Sequence, residues 1–405
     1  MKILLINQPI NNRGDEAAHR ALVRTLLKRI QEVEITVLFF NEDQATADQY
    51  VVESPCVKYI NYRNFHRAWG WFSRAGMRIH PFFWDLHPTT RGLLKYYRES
   101  DIVLSAPGGI SMGGFQNWTH LKMLFFAKYV NKPIAYYGRS FGPFPVETES
   151  QKKYKKKSYE ILNYFSFLSV RDARTELLAK ELGLNFVSTV DTAFLEIPKV
   201  KLPDELSKIS NLGSYIVYVP NELTWHYNFK ERYSHETILN YFSCMCRILL
   251  NIFKGHNILM LPQTFNYHSF KDDKLFFNEV KEKVEDDRIF VLSDQYGSDI
   301  QQTLISKADC VVGARYHSVV FAINNSVPFV ALNYEHKIEG LLESLGKRDC
   351  MVDIVHAMDN EESIKASLDE FVIKLEKAVP DKAVRKKAYD KAEYSMNEFI
   401  KWINE

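Results

Sequence analysis

The segment Val311-Val312-Gly313-Ala314-Arg315-Tyr316-His317 reads as a buried strand that turns on a glycine into a helix. That spacing puts Arg315 and His317 at a helix N-terminus, where the backbone dipole favours anions. Arginine offers a planar fork of donors for a carboxylate or phosphate, and histidine is the side chain most easily tuned to move a proton near neutral pH. Further on, after Phe329-Val330-Ala331-Leu332, the chain reads Asn333-Tyr334-Glu335-His336-Lys337, again a strand end opening a helix. His336 and Lys337 bring a second cationic cluster. Two such clusters at consecutive strand ends predict a site for a small, highly anionic ligand.

The first half carries its own strand-end groups. Asn11-Asn12-Arg13-Gly14-Asp15-Glu16 follows the first strand and leads into an apolar-periodic helix that Asp15 can cap. Gly108 and Gly109, in Ser105-Ala106-Pro107-Gly108-Gly109-Ile110-Ser111, expose backbone N–H groups suited to a carboxylate, phosphate or sugar hydroxyl. The run matches neither G-x-x-x-x-G-K-[ST] nor G-x-G-x-x-G, which disfavours a P-loop NTPase or an ordinary NAD enzyme. Arg139 stands in the turn Tyr137-Gly138-Arg139-Ser140-Phe141-Gly142-Pro143 and is a candidate ligand-binding cation. Arg171 ends the strand before Asp172, which can cap the next helix; an Arg–Asp surface pair is the plainer reading. Asp191 ends the following strand and could bind an acceptor hydroxyl or orient Arg171.

These groups need a scaffold, and the alternation of short apolar runs with helical patterns supplies one. Runs at Lys2–Asn7, Ile35–Phe39, Ile102–Ser105, Ile134–Tyr137 and Phe165–Val170 predict parallel βαβ units. A second series follows at Tyr215–Val219, Ile258–Leu261, Ile289–Leu292, Cys310–Val312 and Phe329–Leu332. The fold class is α/β, with two Rossmann-like domains expected to face each other across a cleft. The proline-bearing stretch Ile197-Pro198-Lys199-Val200-Lys201-Leu202-Pro203 marks the join. The expected division is 1–196, a linker at 197–213, and 214–405, with the final helix able to pack back on the first domain. The first domain is expected to serve an acceptor and the second the anion.

Composition narrows the classes. A chain of 405 residues with 46% hydrophobic content can bury two cores. Lys plus Arg at 52 against Asp plus Glu at 50 leaves +2, which argues against nucleic-acid binding. No apolar run reaches a membrane span, and the N-terminus has no signal-like h-region, so a cytoplasmic protein is expected. Five cysteines, Cys56, Cys244, Cys246, Cys310 and Cys350, form no zinc spacing and read as free thiols. Neither a metal nor a cofactor is expected. Two segments break the rhythm: an aromatic and basic stretch from Tyr59 to His87, and the run Lys152-Lys153-Tyr154-Lys155-Lys156-Lys157. Either could touch a membrane surface or a glycan; a buried insertion and a solvated helix face are the plainer readings.

The ordered set Asn12-Arg13-Gly14-Asp15, Gly108-Gly109, Gly138 to Pro143, Ser169 to Asp172, Asp191, Gly313 to His317 and Tyr334 to Lys337 resembles the polysaccharide pyruvyl transferases. The resemblance implies a fold like that of GT-B glycosyltransferases and transfer of pyruvate from phosphoenolpyruvate to two hydroxyls of a hexose as a cyclic ketal. It implies that Arg171, Arg315, His317 and Lys337 hold phosphoenolpyruvate, the donor substrate. His317 is the candidate general acid, and Asp15 and Asp191 are candidates on the acceptor side. Arg139, Gly108, Gly109 and His336 are further candidates for binding. The implied acceptor is a galactose-type residue, ketalated at O4 and O6, on a lipid-linked saccharide at the cytoplasmic membrane face, for a bacterial capsule or exopolysaccharide. Two departures stand out: Ile110-Ser111 where an acidic residue is usual, and Tyr316 where leucine is usual. A GT-B glycosyltransferase using a nucleotide sugar, or a non-catalytic glycan-binding protein of capsule assembly, fits the same architecture.

Overall fold

A computed structural model describes residues 1–9, 12–39, 51–52, 54–61, 82–206, 213–265, 272–293 and 296–405. The chain divides into two compact units, one of residues 1–10, 18–195 and 391–405, the other of 11–17 and 196–390. Compared with a single cut at 197–213, two stretches change sides: 11–17 groups with the second unit and 391–405 with the first. The first helix, Arg13–Arg29, therefore has its opening turn in one unit and its body in the other.

The first unit carries β1 (Lys2–Ile6), β2 (Glu34–Phe39), β3 (Val57–Asn61), β4 (Ile102–Ser105), β5 (Gly108–Met112), β6 (Ile134–Tyr136), β7 (Arg139–Phe141), β8 (Phe167–Val170) and β9 (Val187–Ser188). Seven of them form a sheet in the order β3-β2-β1-β4-β6-β8-β9, all pairs parallel, while β5 and β7 pair separately. Alternate residues feed the two faces, as a pleated strand requires. Leu4, Ile6 and Val103 join one core; Ile3, Leu5, Ile102 and Leu104 join the other. Phe399 and Met396 of the last helix, Lys382–Asn404, belong to that second core, with Phe399 edge-on to Tyr137 and Phe167. Burying a side chain of that size contributes about 2 kcal/mol.

The second unit carries β10 (Tyr215–Val219), β11 (Asn257–Met260), β12 (Ile289–Val291), β13 (Cys310–Gly313), β14 (Phe329–Asn333) and β15 (Met351–Asp353). Their order is β12-β11-β10-β13-β14-β15, again all parallel. Strands β10, β13 and β14 are buried at every position, which is why they read as unbroken apolar runs. In both sheets the order reverses beside the first strand, between β1 and β4 and between β10 and β13. In open α/β sheets a ligand crevice lies at the carboxyl ends flanking that reversal.

The lysine run lies in the helix Glu149–Leu162, whose Tyr154, Ser158, Ile161 and Leu162 face inward while Lys152, Lys153 and Lys156 are exposed. It is a solvated face, with Lys152 and Lys157 paired to Glu149 and Glu160. Most of the aromatic stretch, 62–81, lies outside the described residues, as does 207–212 of the expected linker. At the stretch's end Trp84 is buried edge-on against Phe126 and Tyr129. Among the described residues no helix is long and apolar enough to cross a membrane.

Candidate active site

In the second unit, β13 ends at Gly313 and the helix Tyr316–Asn324 begins three residues later, with Arg315 as its N-cap residue. The turn is tight: a Cβ on Gly313 would fall 1.9 Å from Ser318 Oγ, so only glycine fits. Arg315 gives Nε (3.1 Å) and Nη2 to one oxygen, Oδ1, of Asp273. The other oxygen of Asp273 accepts the backbone N–H groups of Gln263 and Thr264, each at 2.9 Å. The loop after β11 thus fixes the carboxylate, and the carboxylate fixes the guanidinium. Burial alone would lower the Arg315 pKa; the Asp273 charge and hydrogen bond, joined by Tyr334 and Glu335, together hold the pKa above its ordinary value. Nη1 has no hydrogen-bond partner among the described residues, and the guanidinium stands 5.9 Å from the Trp225 ring.

His317 packs directly on the start of the first helix. A Cβ on Gly14 would lie 1.7 Å from His317 Nδ1, so the imidazole occupies the space that a side chain there would need. That helix start is bolted to the second unit at three points. Asn12 bridges to Thr264, Arg13 N–H donates to Gln263 O at 2.8 Å, and Glu16 Oε1 accepts Ser298 N–H at 3.1 Å. Glu16 Oε2 takes Arg13 Nη1 at 2.8 Å, and the Arg13 guanidinium lies 4.4 Å from the Phe265 ring centre. Asn12, rather than Asp15, caps the helix: its Oδ1 accepts the N–H of Gly14 at 2.7 Å and of Asp15 at 3.4 Å. Asp15, in the first turn, is half-buried.

The second cationic cluster follows β14. Lys337 pairs with Glu335 at 3.2 Å, and His336 opens the helix His336–Leu345. Burial would raise the Glu335 pKa, but the charge and hydrogen bond of Lys337, joined by His336 and His226, together bring it below the ordinary value. His226 lies close by, its Nε2 4.0 Å from Glu335 Oε2 and its ring edge-on to Tyr334. Its Nδ1 accepts the Asn228 N–H at 3.3 Å, which puts the ring proton on Nε2. Burial holds its pKa below the usual histidine range, against the opposing charge of Glu335. Asp273, Trp225 and His226 were not among the sequence candidates. Asp273 signals only a helix start, and nothing in one dimension links it to an arginine 42 positions away.

The first unit uses its candidates differently. Arg139, expected to meet a ligand, donates to Asn7 O, Ala106 O, Gly109 O and Ser111 Oγ at 2.7–3.2 Å. It is a clamp on the loop after β4, because a buried guanidinium beside unpaired carbonyls is driven to bond them. Gly108 and Gly109 serve that clamp: a Cβ on Gly108 would stand 3.1 Å from Arg139 Nη2. Arg171 and Asp191 form a buried ion pair rather than a surface one, with Asp191 Oδ1 also accepting Ala193 N–H at 3.0 Å. Of the two readings for Asp191, the geometry has it orienting Arg171. Asp172 caps the helix Ala173–Glu181 through Thr175 N–H at 2.9 Å.

Against known proteins, the family model described as polysaccharide pyruvyl transferase matches residues 12–336. Its limits fall on the Asn12 cap and on His336, one residue short of Lys337. The amylovoran biosynthesis protein AmsJ of Erwinia amylovora is 22% identical over 387 residues, 89% of either chain. Among solved structures, the UDP-GlcNAc 2-epimerase of Methanocaldococcus jannaschii superimposes with a TM-score of 0.57 at 12% identity, over 98% of this chain and 99% of that one. The trehalose-6-phosphate synthase OtsA gives 0.58 at 10%, over 99% and 98%. At such identities the likeness speaks for the fold alone, which is GT-B-like.

Proposed function

The chain belongs to the polysaccharide pyruvyl transferase family, and from that premise we propose that it moves pyruvate from phosphoenolpyruvate onto two hydroxyls of a hexose as a cyclic ketal. The observation that carries the reading is the Arg315–Asp273 arrangement. Asp273 takes two of the guanidinium nitrogens and leaves Nη1, at a helix N-terminus, for an anion. Phosphoenolpyruvate has a carboxylate and a phosphate, which Arg315 and Lys337 suit by charge and hydrogen bonding.

In the proposed chemistry, His317 protonates C3 of the enol, so that C2 becomes electrophilic toward the first sugar hydroxyl. The C2–O bond to phosphate breaks, the cations easing departure of the dianion, and the second hydroxyl attacks C2 to close the ring. One hydroxyl proton replaces that given to C3 and the other leaves with phosphate, so the step balances with no further reactant. The acceptor we propose is a galactose-type residue of a lipid-linked saccharide, ketalated at O4 and O6 on the cytoplasmic side of the membrane. A relative named for amylovoran biosynthesis supports a surface polysaccharide as the setting.

Calorimetric titration of phosphoenolpyruvate into the wild type and Arg315→Ala, with a UDP-hexose as control, tests the reading. Phosphoenolpyruvate binding that Arg315→Ala weakens at least tenfold supports it. Heat from the UDP-hexose alone replaces it with a nucleotide-sugar glycosyltransferase, and glycan binding without phosphate release replaces it with a non-catalytic glycan-binding protein.

A further inference from the structure

The loop leaving β10 contains a polar side chain that neither the fold nor the anion site uses. Asn221 is fully buried, and neither Oδ1 nor Nδ2 has a hydrogen-bond partner among the described residues. On the next strand's exit, the buried atoms Gln263 Nε2 and Thr264 Oγ1 likewise have no hydrogen-bond partner among the described residues. Each such orphan weakens the fold and is kept where something else completes it.

Their position says where that partner sits. Asn221 is two residues past β10, on the carboxyl side of the β10–β13 reversal, where ligands enter open α/β sheets. The neighbouring exit is tied to it by the Ala314 N–H to Val219 O bond at 2.8 Å, one residue before Arg315. Gln263 and Thr264 bond through their backbone to Asp273, the carboxylate that holds Arg315. Four residues after Asn221, Trp225 returns to the Arg315 guanidinium. Asn221 is as buried as Asp191 and little more so than His317.

We propose that Asn221, with Gln263 and Thr264, forms a subsite for the hydroxyls of a pyranose beside Arg315. The chemistry selects the class. However its amide is turned, Asn221 offers one donor group and one acceptor, and both must be met. A phosphate or a carboxylate only accepts, so phosphoenolpyruvate cannot satisfy the amide oxygen. A sugar hydroxyl donates and accepts at once. The subsite rests on the pyruvyl transfer reading for its role as the acceptor's place, though not for its affinity for a sugar, and it assigns the acceptor to the second unit where the sequence led us to expect the first.

The test uses the full chain and methyl galacto-, gluco- and mannopyranosides, read by saturation-transfer NMR without phosphoenolpyruvate, so that no turnover occurs. At least one hexoside is expected to bind the wild type, and Asn221→Leu to weaken it tenfold or more. Phosphoenolpyruvate affinity should stay within twofold, and the Tm of Asn221→Leu should equal or exceed that of the wild type, because an orphan amide is removed. Binding of none of the hexosides by the wild type overturns the subsite. So does Asn221→Leu with a lower Tm and unchanged hexoside binding, the mark of a structural amide bridged by water. Should Asn221→Leu not fold, Asn221→Ser is read by the same hexoside criterion. Wild-type chain that binds a hexoside but gives no heat with phosphoenolpyruvate sinks the donor reading and leaves the subsite standing.

Discussion

Arg139 in the first unit and Arg315 in the second both follow a parallel strand in a glycine-bearing turn, yet they are held in opposite ways. Arg139 is enclosed by three carbonyls and a serine hydroxyl, so its charge holds backbone to backbone. Arg315 is held from one side by a single carboxylate oxygen, which leaves a nitrogen outside that contact. What separates the two is therefore the number of acceptors the surrounding fold supplies. A buried arginine uses every acceptor within reach, and only a shortage of them leaves it available to a substrate.

The comparison breaks most easily in the first unit. Breaking the buried Arg171–Asp191 pair with Asp191→Ala should cost about 4 kcal/mol, read from urea midpoints, because it takes the carboxylate away from a buried guanidinium. Retained stability with lost acceptor turnover would instead make Asp191 a reacting group. Arg139→Leu should cost about 3 kcal/mol by orphaning the carbonyls of Asn7, Ala106 and Gly109. An Arg139→Leu chain as stable as the wild type that no longer binds phosphoenolpyruvate would erase the contrast. In the second unit the loss should fall on binding: Arg315→Ala weakens phosphoenolpyruvate at least tenfold, about 1.4 kcal/mol, and adding Asp273→Asn restores stability but not affinity.

Two further effects sharpen the contrast. Gly14→Ala puts a methyl where the His317 ring lies, so the imidazole must move. Phosphate release should fall about tenfold while phosphoenolpyruvate affinity, set by Arg315, changes less than twofold; equal losses in both would place His317 in binding rather than proton transfer. The last concerns Lys122, fully buried in the helix Trp118–Tyr129 of the first unit, whose pKa burial pulls down from 10.5 to about 7. The unfolded chain then binds the extra proton between pH 7 and 10.5, so the penalty is complete below pH 7 and fades as the pH rises through that window. Lys122→Met should therefore be more stable than the wild type by about 2 kcal/mol at pH 6, with the gap closing by pH 10. A gap independent of pH would assign the gain to packing instead.

Much of this was legible along the chain because fully buried parallel strands are unbroken apolar runs. β10, β13 and β14 announce themselves, and so do the glycine turns after them. β3 was missed because Val57–Asn61 is an edge strand with no fully buried position, and β15 because Met351–Asp353 has only two apolar residues before an exposed aspartate. Strands β5 and β7 hid inside turns whose glycines looked like ligand cradles. Arg139, Arg315, His317 and Lys337 all stand out along the chain because a cation after a buried strand is chemically conspicuous. The partners that distinguish Arg139 from Arg315 do not show there.

The amino-acid sequence by itself determined two parallel α/β sheets, their strand-end turns and the charges placed on those turns, since periodicity and residue type act locally. Only the tertiary structure decided which charges are satisfied. Asp273 reaches Arg315, Gly14 yields its space to His317, and backbone carbonyls surround Arg139, because hydrogen-bond saturation depends on neighbours that are remote in the chain and adjacent in space.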